Sequence, residues 1–367
     1  MYYNKDMETK KTKIAVVFGG KSAEHQVSLI SAFNIMKALD KDKYEICPIG
    51  VSQDGVFYRF EGDPILNETD PKTVMLNEER HEIAFIKNGY FDLQDGEKHH
   101  IDIAFPIIHG TNGEDGTLQG LLKICDIPFV GPDTLGSAIC MDKDIAKKLL
   151  LNAKIPVSDF VTLRKDDEVN FGDLSEQLGL PLFIKPANAG SSVGVRKIKD
   201  ESEFQRAIAE AFRYDKKLLV EEAIVGREIE CSILGNEEPK ASLPGEVMPN
   251  HEFYSYESKY IDENGADFGI PAKLSDEEIT LVRNTSIATF KTLGCEGMAR
   301  VDGFLTTDGS YIINEVNTLP GFTSISMYPK LWQVSGLTYS DLLDTLITLG
   351  FGRYEREKKV EKNYQNI

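Results

Sequence analysis

Arg300-Val301-Asp302-Gly303-Phe304-Leu305-Thr306-Thr307-Asp308-Gly309-Ser310-Tyr311-Ile312-Ile313-Asn314-Glu315-Val316-Asn317 reads as a β-hairpin, and the rest of the chain is best understood outward from it. Asp308-Gly309 between two apolar-alternating runs is a type I′ turn signal, so a two-residue turn should pair Thr307 with Ser310. That register sets Asp302 opposite Glu315 and Arg300 opposite Asn317. With a side-chain period of two, all four project from one face. Two carboxylates facing each other repel unless a cation or a proton lies between them. Oxygen donors from Asp302, Glu315 and Asn317, with no His or Cys beside them, suit Mg²⁺ better than Zn²⁺. The other reading is a solvated face on which Arg300 screens the acids.

Upstream, Phe183-Ile184-Lys185-Pro186-Ala187-Asn188-Ala189-Gly190-Ser191-Ser192-Val193-Gly194-Val195 passes from strand to a loop of small residues and back. Small side chains let backbone N–H groups approach phosphate oxygens, and a lysine adds charge; alone, the segment would equally make an ordinary hairpin loop. Near the N-terminus, Ile14–Phe18 is an apolar run that breaks at Gly19-Gly20, and Leu29, Ala32, Phe33 and Met36 then recur at helical spacing. Gly20-Lys21-Ser22 imitates the end of a P-loop, but the first glycine would fall at Ala15 inside the strand, and the GxGxxG spacing fails as well. Glu24 opens the helix, either as a favourable charge at its positive end or as a substrate ligand. His109-Gly110-Thr111-Asn112-Gly113-Glu114-Asp115-Gly116 follows a strand end, where open α/β sheets place ligands.

Between these landmarks, 44–51, 101–108 and 127–130 are expected as strands and 118–124 as helix, an alternation that favours a parallel sheet flanked by helices. A helix is expected over 137–153, strands over 182–186, 193–198 and 217–222, and a helix over 204–212. A polar stretch near 249–264 precedes a helix over 276–292, and a C-terminal helix over 339–349 gives way to a charged tail.

Composition narrows the function. The 367 residues exceed one ordinary domain. A net charge of −18 argues against nucleic acid or anionic membrane as partner, and 41% hydrophobic with 27% charged residues is globular rather than disordered. No signal-peptide h-region or membrane-span-length apolar run is seen, so a soluble, cytoplasmic protein is expected. Five scattered cysteines with no CxxC pair point to buried, reduced thiols, and His99-His100 to a polar surface loop.

Taken together, FGGKSAEHQVSL (18–29), HGTNGEDGTLQG (109–120), KPANAGSSVGV (185–195), ARVDGF (299–304) and NEVNTLPGFTSISMYP (314–329) resemble the ATP-grasp enzymes, and within them the D-alanine:D-alanine ligases. YSYESKY (254–260) is similar to that family's mobile loop over the active site. The resemblance implies an α/β, three-domain ATP-grasp architecture with an N-terminal parallel-sheet domain. It divides the chain into a substrate domain over 1–131, a central ATP-grasp subdomain over 132–221, and a C-terminal subdomain over 222–367 carrying the hairpin and mobile loop. It implies a ligase that phosphorylates one D-alanine with ATP and joins it to a second for peptidoglycan synthesis, D-lactate or D-serine being the alternative second substrates. By the same resemblance, Lys143, Lys185 and Ser192 would meet ATP phosphates, and Glu221, Glu222, Ile224 and Glu228 would hold adenine and ribose. Asp302, Glu315 and Asn317 would bind two Mg²⁺ ions, with Mn²⁺ an alternative. Glu24 would take the first D-alanine's ammonium in a network with Ser191 and Tyr260, while His109, Lys259 and Ser326 would bind substrate. Arg300 and the Gly321 N–H would stabilise an oxyanion. A homodimer is the expected assembly.

Overall fold

Thr12–Gly19 (β1) is buried along nearly its whole length, as expected of a strand covered on both faces. The computed structural model describes residues 10–61, 79–250 and 266–361, with the backbone alone of 65–66 and 74–75. β1 pairs in parallel with Tyr44–Val51 (β2) and, on its other side, with Ile103–Pro106 (β9). Phe57–Phe60 (β3), Arg80–Ile86 (β6), Gly89–Asp92 (β7) and Lys98–His100 (β8) extend that sheet, giving the order β8-β7-β6-β3-β2-β1-β9. Ile65–Leu66 (β4) and Val74–Met75 (β5) form a separate pair.

The parallel sheet expected here is therefore parallel in three strands only. From β2 to β8 every pairing is antiparallel, and the β2–β3, β6–β7 and β7–β8 connections, none longer than five residues, are too short to contain a crossover helix. Two local expectations are also corrected. Residues 127–130 make one parallel bridge, Phe129 to Ala104, rather than a strand. His99 and His100 lie on β8, where His99 stacks on Tyr90 and bonds Asp95.

Alternation along β1 sorts its side chains to two cores. Ile14, Val16 and Phe18 pack with Leu29, Ile35 and Met36 of α1 (His25–Ala38), while Ala15 and Val17 face Leu118 and Leu122 of α2 (Thr117–Ile124). The first core is completed from far along the chain, by Phe322 and by Leu342, Leu346 and Ile347.

A second, all-antiparallel sheet has the order β10-β13-β11-β12, from Phe160–Arg164 (β10), Leu182–Pro186 (β11), Arg196–Ile198 (β12) and Lys217–Glu222 (β13). The single helix expected over 137–153 is two, α3 (Thr134–Met141) and α4 (Lys143–Asn152). Asp142 breaks them: its extended backbone ends α3, and its carboxylate accepts from Ile145 N as the N-cap of α4. Lys217 fastens that carboxylate, with Nζ 2.6 Å from both oxygens. α5 (Phe171–Leu178) and α6 (Glu201–Ala211) cover the sheet through Leu174, Leu178, Phe204 and Ala207.

A third sheet runs β17-β16-β14-β18-β19, from Gly226–Gly235 (β14), Gly245–Pro249 (β16), Ala266–Gly269 (β17), Gly297–Thr306 (β18) and Tyr311–Asn317 (β19), with Lys240–Ala241 (β15) paired to β14. Its covering helix α7 (Asp276–Thr292) begins with a Ser275/Glu278 capping box. α8 (Met327–Val334) and α9 (Tyr339–Lys358) follow. α9 does not stop at 349 as expected. Gly350 reads as a terminator, yet it is helical and lies against Phe129 O, where a Cβ would come within 2.9 Å. One turn later the expected tail supplies Arg353, buried on Phe129 with guanidinium bonds to the carbonyls of Phe129 and Gly131.

Candidate active site

The hairpin carries Asp302 opposite Glu315 and Arg300 opposite Asn317, as expected, but by a different route. The turn is a three-residue loop, Thr307-Asp308-Gly309, closed by Thr306 N donating to Ser310 O, with Leu305 paired to Tyr311. A β-bulge between Asp302 and Gly303 then shifts the register by one. Burial on β19 records the shift, falling on Tyr311 and Ile313 before it and on Val316 after it. A bulge re-aims side chains, and here it leaves Asn314, Glu315 and Asn317 all out of the core.

Those re-aimed groups meet the second sheet and its helix. Lys143, the first residue of α4, has Nζ 3.4 Å from Glu315 Oε2 and 2.8 Å from Ala189 O. Lys185 Nζ on β11 donates to Asn314 Oδ1 at 3.0 Å and lies 2.7 Å from Glu221 Oε2. Lys147, one turn along α4, lies 2.7 Å from Glu221 Oε1 and donates to Ser158 Oγ. Burial would raise the Glu221 pKa, but Lys185 and Lys147 hold it below its ordinary value. Burial likewise pulls Lys147 down to about 8 although Glu221 opposes the change.

On the hairpin face, Arg300 clamps Asp302 with two bonds of 2.8 and 2.6 Å and reaches Glu230 at 3.0 Å. Burial opposes its charge, yet Asp302 and Glu230 hold the guanidinium well above its ordinary value. Asn317 Nδ2 donates to Asp302 Oδ2 at 2.8 Å. Each carboxylate thus has a cationic neighbour, Arg300 for Asp302 and Lys143 for Glu315. The oxygen-only donor set of Asp302, Glu315 and Asn317 fits a hard divalent ion, and a half-turn of the Asn317 amide would present its oxygen to that ion.

Glu24 joins the third wall. Its carboxylate accepts from Ser191 Oγ across 167 residues of sequence, and it lies in a cradle between Gly110 and Gly190. A Cβ at Gly110 would come 2.7 Å from Glu24 Oε2 and one at Gly190 2.9 Å, so a side chain at either position would push the Glu24 carboxylate aside, and Gly110 also has a φ of +76° that favours glycine. Ser191 and Ser192 both take positive φ, 50° and 59°, in a tight turn that Val193 N closes by donating to Gly190 O.

The loop after β19 is held by the first sheet's loops. His109 is buried with its pKa lowered by that burial. Nδ1 bonds Leu319 O at 2.9 Å and Nε2 bonds Ser31 Oγ at 2.9 Å, so Nδ1 carries the proton and Nε2 accepts. Ser31 Oγ in turn accepts from Phe322 N. Glu114 accepts from Gly110 N at 2.7 Å and Leu319 N at 3.1 Å. Burial, then the charge of Glu24, push the Glu114 pKa up to about 8.

The remaining expected residues are less drawn in. Glu222 accepts from Asp159 N, on the outer side of β13 from Lys185. Ile224 is half-buried in the turn between β13 and β14, and Glu228 is half-buried on β14 opposite Phe304. Ser326 Oγ accepts from Thr323 N and lies where a Cβ on Gly321 would come within 2.6 Å. Lys259, Tyr260 and the rest of the expected mobile loop over 254–260 lie outside the described residues. Glu230, Lys147, Asn314 and Glu114 were not singled out from sequence as site residues. Glu230 had a signal in its period-two spacing from Glu228, and Glu114 lay in the 109–116 loop after a strand end, though nothing local pointed to its partner Leu319, 205 residues away.

A family model described as D-ala D-ala ligase N-terminus matches residues 13–132, and one described as D-ala D-ala ligase C-terminus matches 149–348. The chain is 52% identical over 361 residues to a D-alanine–D-alanine ligase of Oceanobacillus iheyensis, covering 96% of this chain and 99% of that one. Among solved structures it superposes on the D-alanine-D-alanine ligase from Coxiella burnetii with a TM-score of 0.83 at 38% identity, covering 95% of this chain and 98% of that chain. It also superposes on a D-Ala:D-Ser ligase from Enterococcus faecalis with a TM-score of 0.82 at 37% identity, covering 93% and 100%.

Proposed function

The chain belongs to the D-alanine–D-alanine ligase family, and from that premise we propose that it joins two D-alanines, with cleavage of ATP, through a D-alanyl phosphate. Its fold is the α/β ATP-grasp fold of its structural relatives. A carboxylate is a poor electrophile. In the first step a carboxylate oxygen of one D-alanine attacks the γ-phosphorus and ADP leaves, which installs phosphate as a leaving group. In the second, the amine of another D-alanine adds to the carbonyl carbon and gives up a proton to solvent, and the C–O bond to phosphate breaks with its electron pair going to phosphate. The observation that carries the reading is the meeting of three walls: Lys143 and Lys185 reaching Glu315 and Asn314, and Ser191 donating to Glu24.

In this reading Lys143, Lys185, Ser192 and the backbone at Ser191–Ser192 receive the phosphates, lowering repulsion toward the attacking carboxylate. Glu221, Glu222, Ile224 and Glu228 border adenine and ribose. Asp302, Glu315 and Asn317 would hold two Mg²⁺ ions, or Mn²⁺, whose charge offsets that of the β- and γ-phosphates. Glu24 takes the first ammonium, with Ser191 and Tyr260 closing a network around it. His109 serves the substrate side of the cleft, while Lys259 and Ser326 take the second carboxylate. Arg300 and the Gly321 N–H hold the oxyanion of the second step.

The working division is a substrate domain over 1–131 and ATP-binding subdomains over 132–221 and 222–367. A cytoplasmic homodimer supplying peptidoglycan synthesis completes the proposal. Among the described residues no helix is long and apolar enough to cross a membrane. The test is ADP release with D-alanine, D-lactate or D-serine as second substrate, with and without Mg²⁺, alongside product analysis. D-alanyl-D-alanine as the main product supports the reading. ATP turnover of equal rate without D-alanine, and no dipeptide, would overturn it.

A further inference from the structure

Leu319-Pro320-Gly321-Phe322 is held at four of its backbone polar groups, three of them by residues of the first sheet's loops and helix and the fourth, the Phe322 carbonyl, by Tyr339 Oη at 2.8 Å. Glu114 Oε1 takes the Leu319 N–H, His109 Nδ1–H donates to the Leu319 carbonyl, and Ser31 Oγ takes the Phe322 N–H. The chain of donors is consistent throughout: Phe322 N–H to Ser31, Ser31 O–H to His109 Nε2, His109 Nδ1–H to Leu319 O. Pro320 has no N–H. Among the described hydrogen bonds, the Gly321 N–H is therefore the one amide donor of these four residues left unused.

We propose that Glu114 is a positioning residue for the bond-forming step, clamping the Leu319 peptide so that the Gly321 N–H is already aimed where the oxyanion develops. The proposal rests on the ligase reading and on Gly321 as an oxyanion donor, and it gives that donor a mechanical basis. A glycine flanked by proline has few side-chain contacts of its own to fix its peptide plane, and a donor that must reorient during the reaction loses most of its effect. Glu114 is well suited to the task because its second oxygen is anchored on Gly110 N, in the same loop as His109. One carboxylate and one imidazole thereby hold the two ends of the Leu319 residue from a common base.

A residue that merely supports the fold would impair both chemical steps; one that aims the Gly321 N–H should impair the second. The first step is read by positional isotope exchange, the D-alanine-dependent movement of ¹⁸O from the β,γ-bridge of ATP to a non-bridging β-position. The second is read as dipeptide formed. Glu114→Gln keeps the volume and one acceptor, and Glu114→Ala removes both. We expect dipeptide formation to fall about 100-fold in Glu114→Ala and by less in Glu114→Gln. Isotope exchange and the KM for ATP should stay within about threefold of the unsubstituted enzyme. A parallel loss of both steps in Glu114→Gln, or no loss in either variant, would overturn the proposal. In either of those outcomes, with the unsubstituted enzyme active in both steps, the clamp falls and the ligase reading stands. An unsubstituted enzyme that neither exchanges isotope with D-alanine nor forms dipeptide would remove the ligase reading itself.

Discussion

Lys143 Nζ stands 3.4 Å from Glu315 Oε2, so the first residue of α4 touches the hairpin of a different sheet. Glu315 is thereby separated in function from the carboxylate opposite it. Asp302 is neutralised within its own strand by Arg300, whereas Glu315 is answered from across the cleft.

Glu315→Gln should accordingly lower activity by about 100-fold or more and raise the Mg²⁺ concentration needed, because a carboxylate oxygen with full charge is lost from the donor set. The metal-free protein should change little in stability, since the pair it loses is partly exposed and such pairs contribute about 1 kcal/mol or less. Activity measured across a Mg²⁺ titration, with thermal melts beside it, checks both parts. An unchanged titration would mean that Glu315 serves only as an ion-pair partner of Lys143.

The break at Asp142 places Lys143 at a helix start, and it should be sensitive. Asp142→Ala removes the N-cap of α4 and the closest partner of the nearly buried Lys217, leaving Asp144 at 3.1 Å. A loss of about 2 kcal/mol in unfolding free energy is expected, together with a raised KM for ATP. Asp142→Asn, which still caps, should recover part of the stability. Equal melts for the alanine variant and the unsubstituted chain would contradict this.

Stability should also depend on pH through Lys147. Burial holds its folded pKa down to about 8, against an ordinary 10.5. Between those values the unfolded chain binds a proton that the folded chain has released, so this group makes stability rise with pH. The increment is complete above 10.5 and is lost as pH falls through about 8. Lys147→Met lacks it. The stability difference between the unsubstituted chain and Lys147→Met should therefore move in favour of the former from about pH 7.5 to about pH 9.5. A difference that stays constant in denaturant titrations over that range would show that Lys147 does not titrate there.

Arg353 should tolerate no conservative exchange. Its guanidinium bonds two carbonyls and stacks on Phe129 at 4.1 Å from the ring centroid. Arg353→Lys offers one point charge in place of a planar fork, leaves a carbonyl unpaired, and should cost about 2–3 kcal/mol, as should Arg353→Met. Comparable unfolding curves for Arg353→Lys and the unsubstituted chain would overturn the argument.

Much of this molecule was legible in sequence wherever local signals decide the outcome. Tyr44–Val51, Leu182–Pro186 and Lys217–Glu222 are apolar runs bounded by turns and fold as such, and α7 begins at its Ser275 cap. The hairpin face was legible for an incomplete reason. The turn has one residue more than its Asp-Gly signal suggests, and the bulge at Gly303 shifts the strands back by one, so the two departures offset each other. What stayed hidden depends on distant partners. Asp142 splits a continuous helical pattern because Lys217 is waiting for it, and Gly350 continues a helix because Phe129 requires the space. Three of the four antiparallel pairings in the first sheet follow from connections of five residues or fewer, which leave no room for a crossover helix.

The core that buries β1 has a consequence for how the protein is made. Ile14, Val16 and Phe18 are synthesised about 320 residues before Leu342, Leu346 and Ile347, which cover the same face. Until then the nascent first sheet carries an apolar face without its final cover. A chain cut short before α9 would keep every ligand-facing residue named above and still present that open face to chaperones and proteases. Quality control of this enzyme would then be exercised at its last helix rather than at its catalytic cleft.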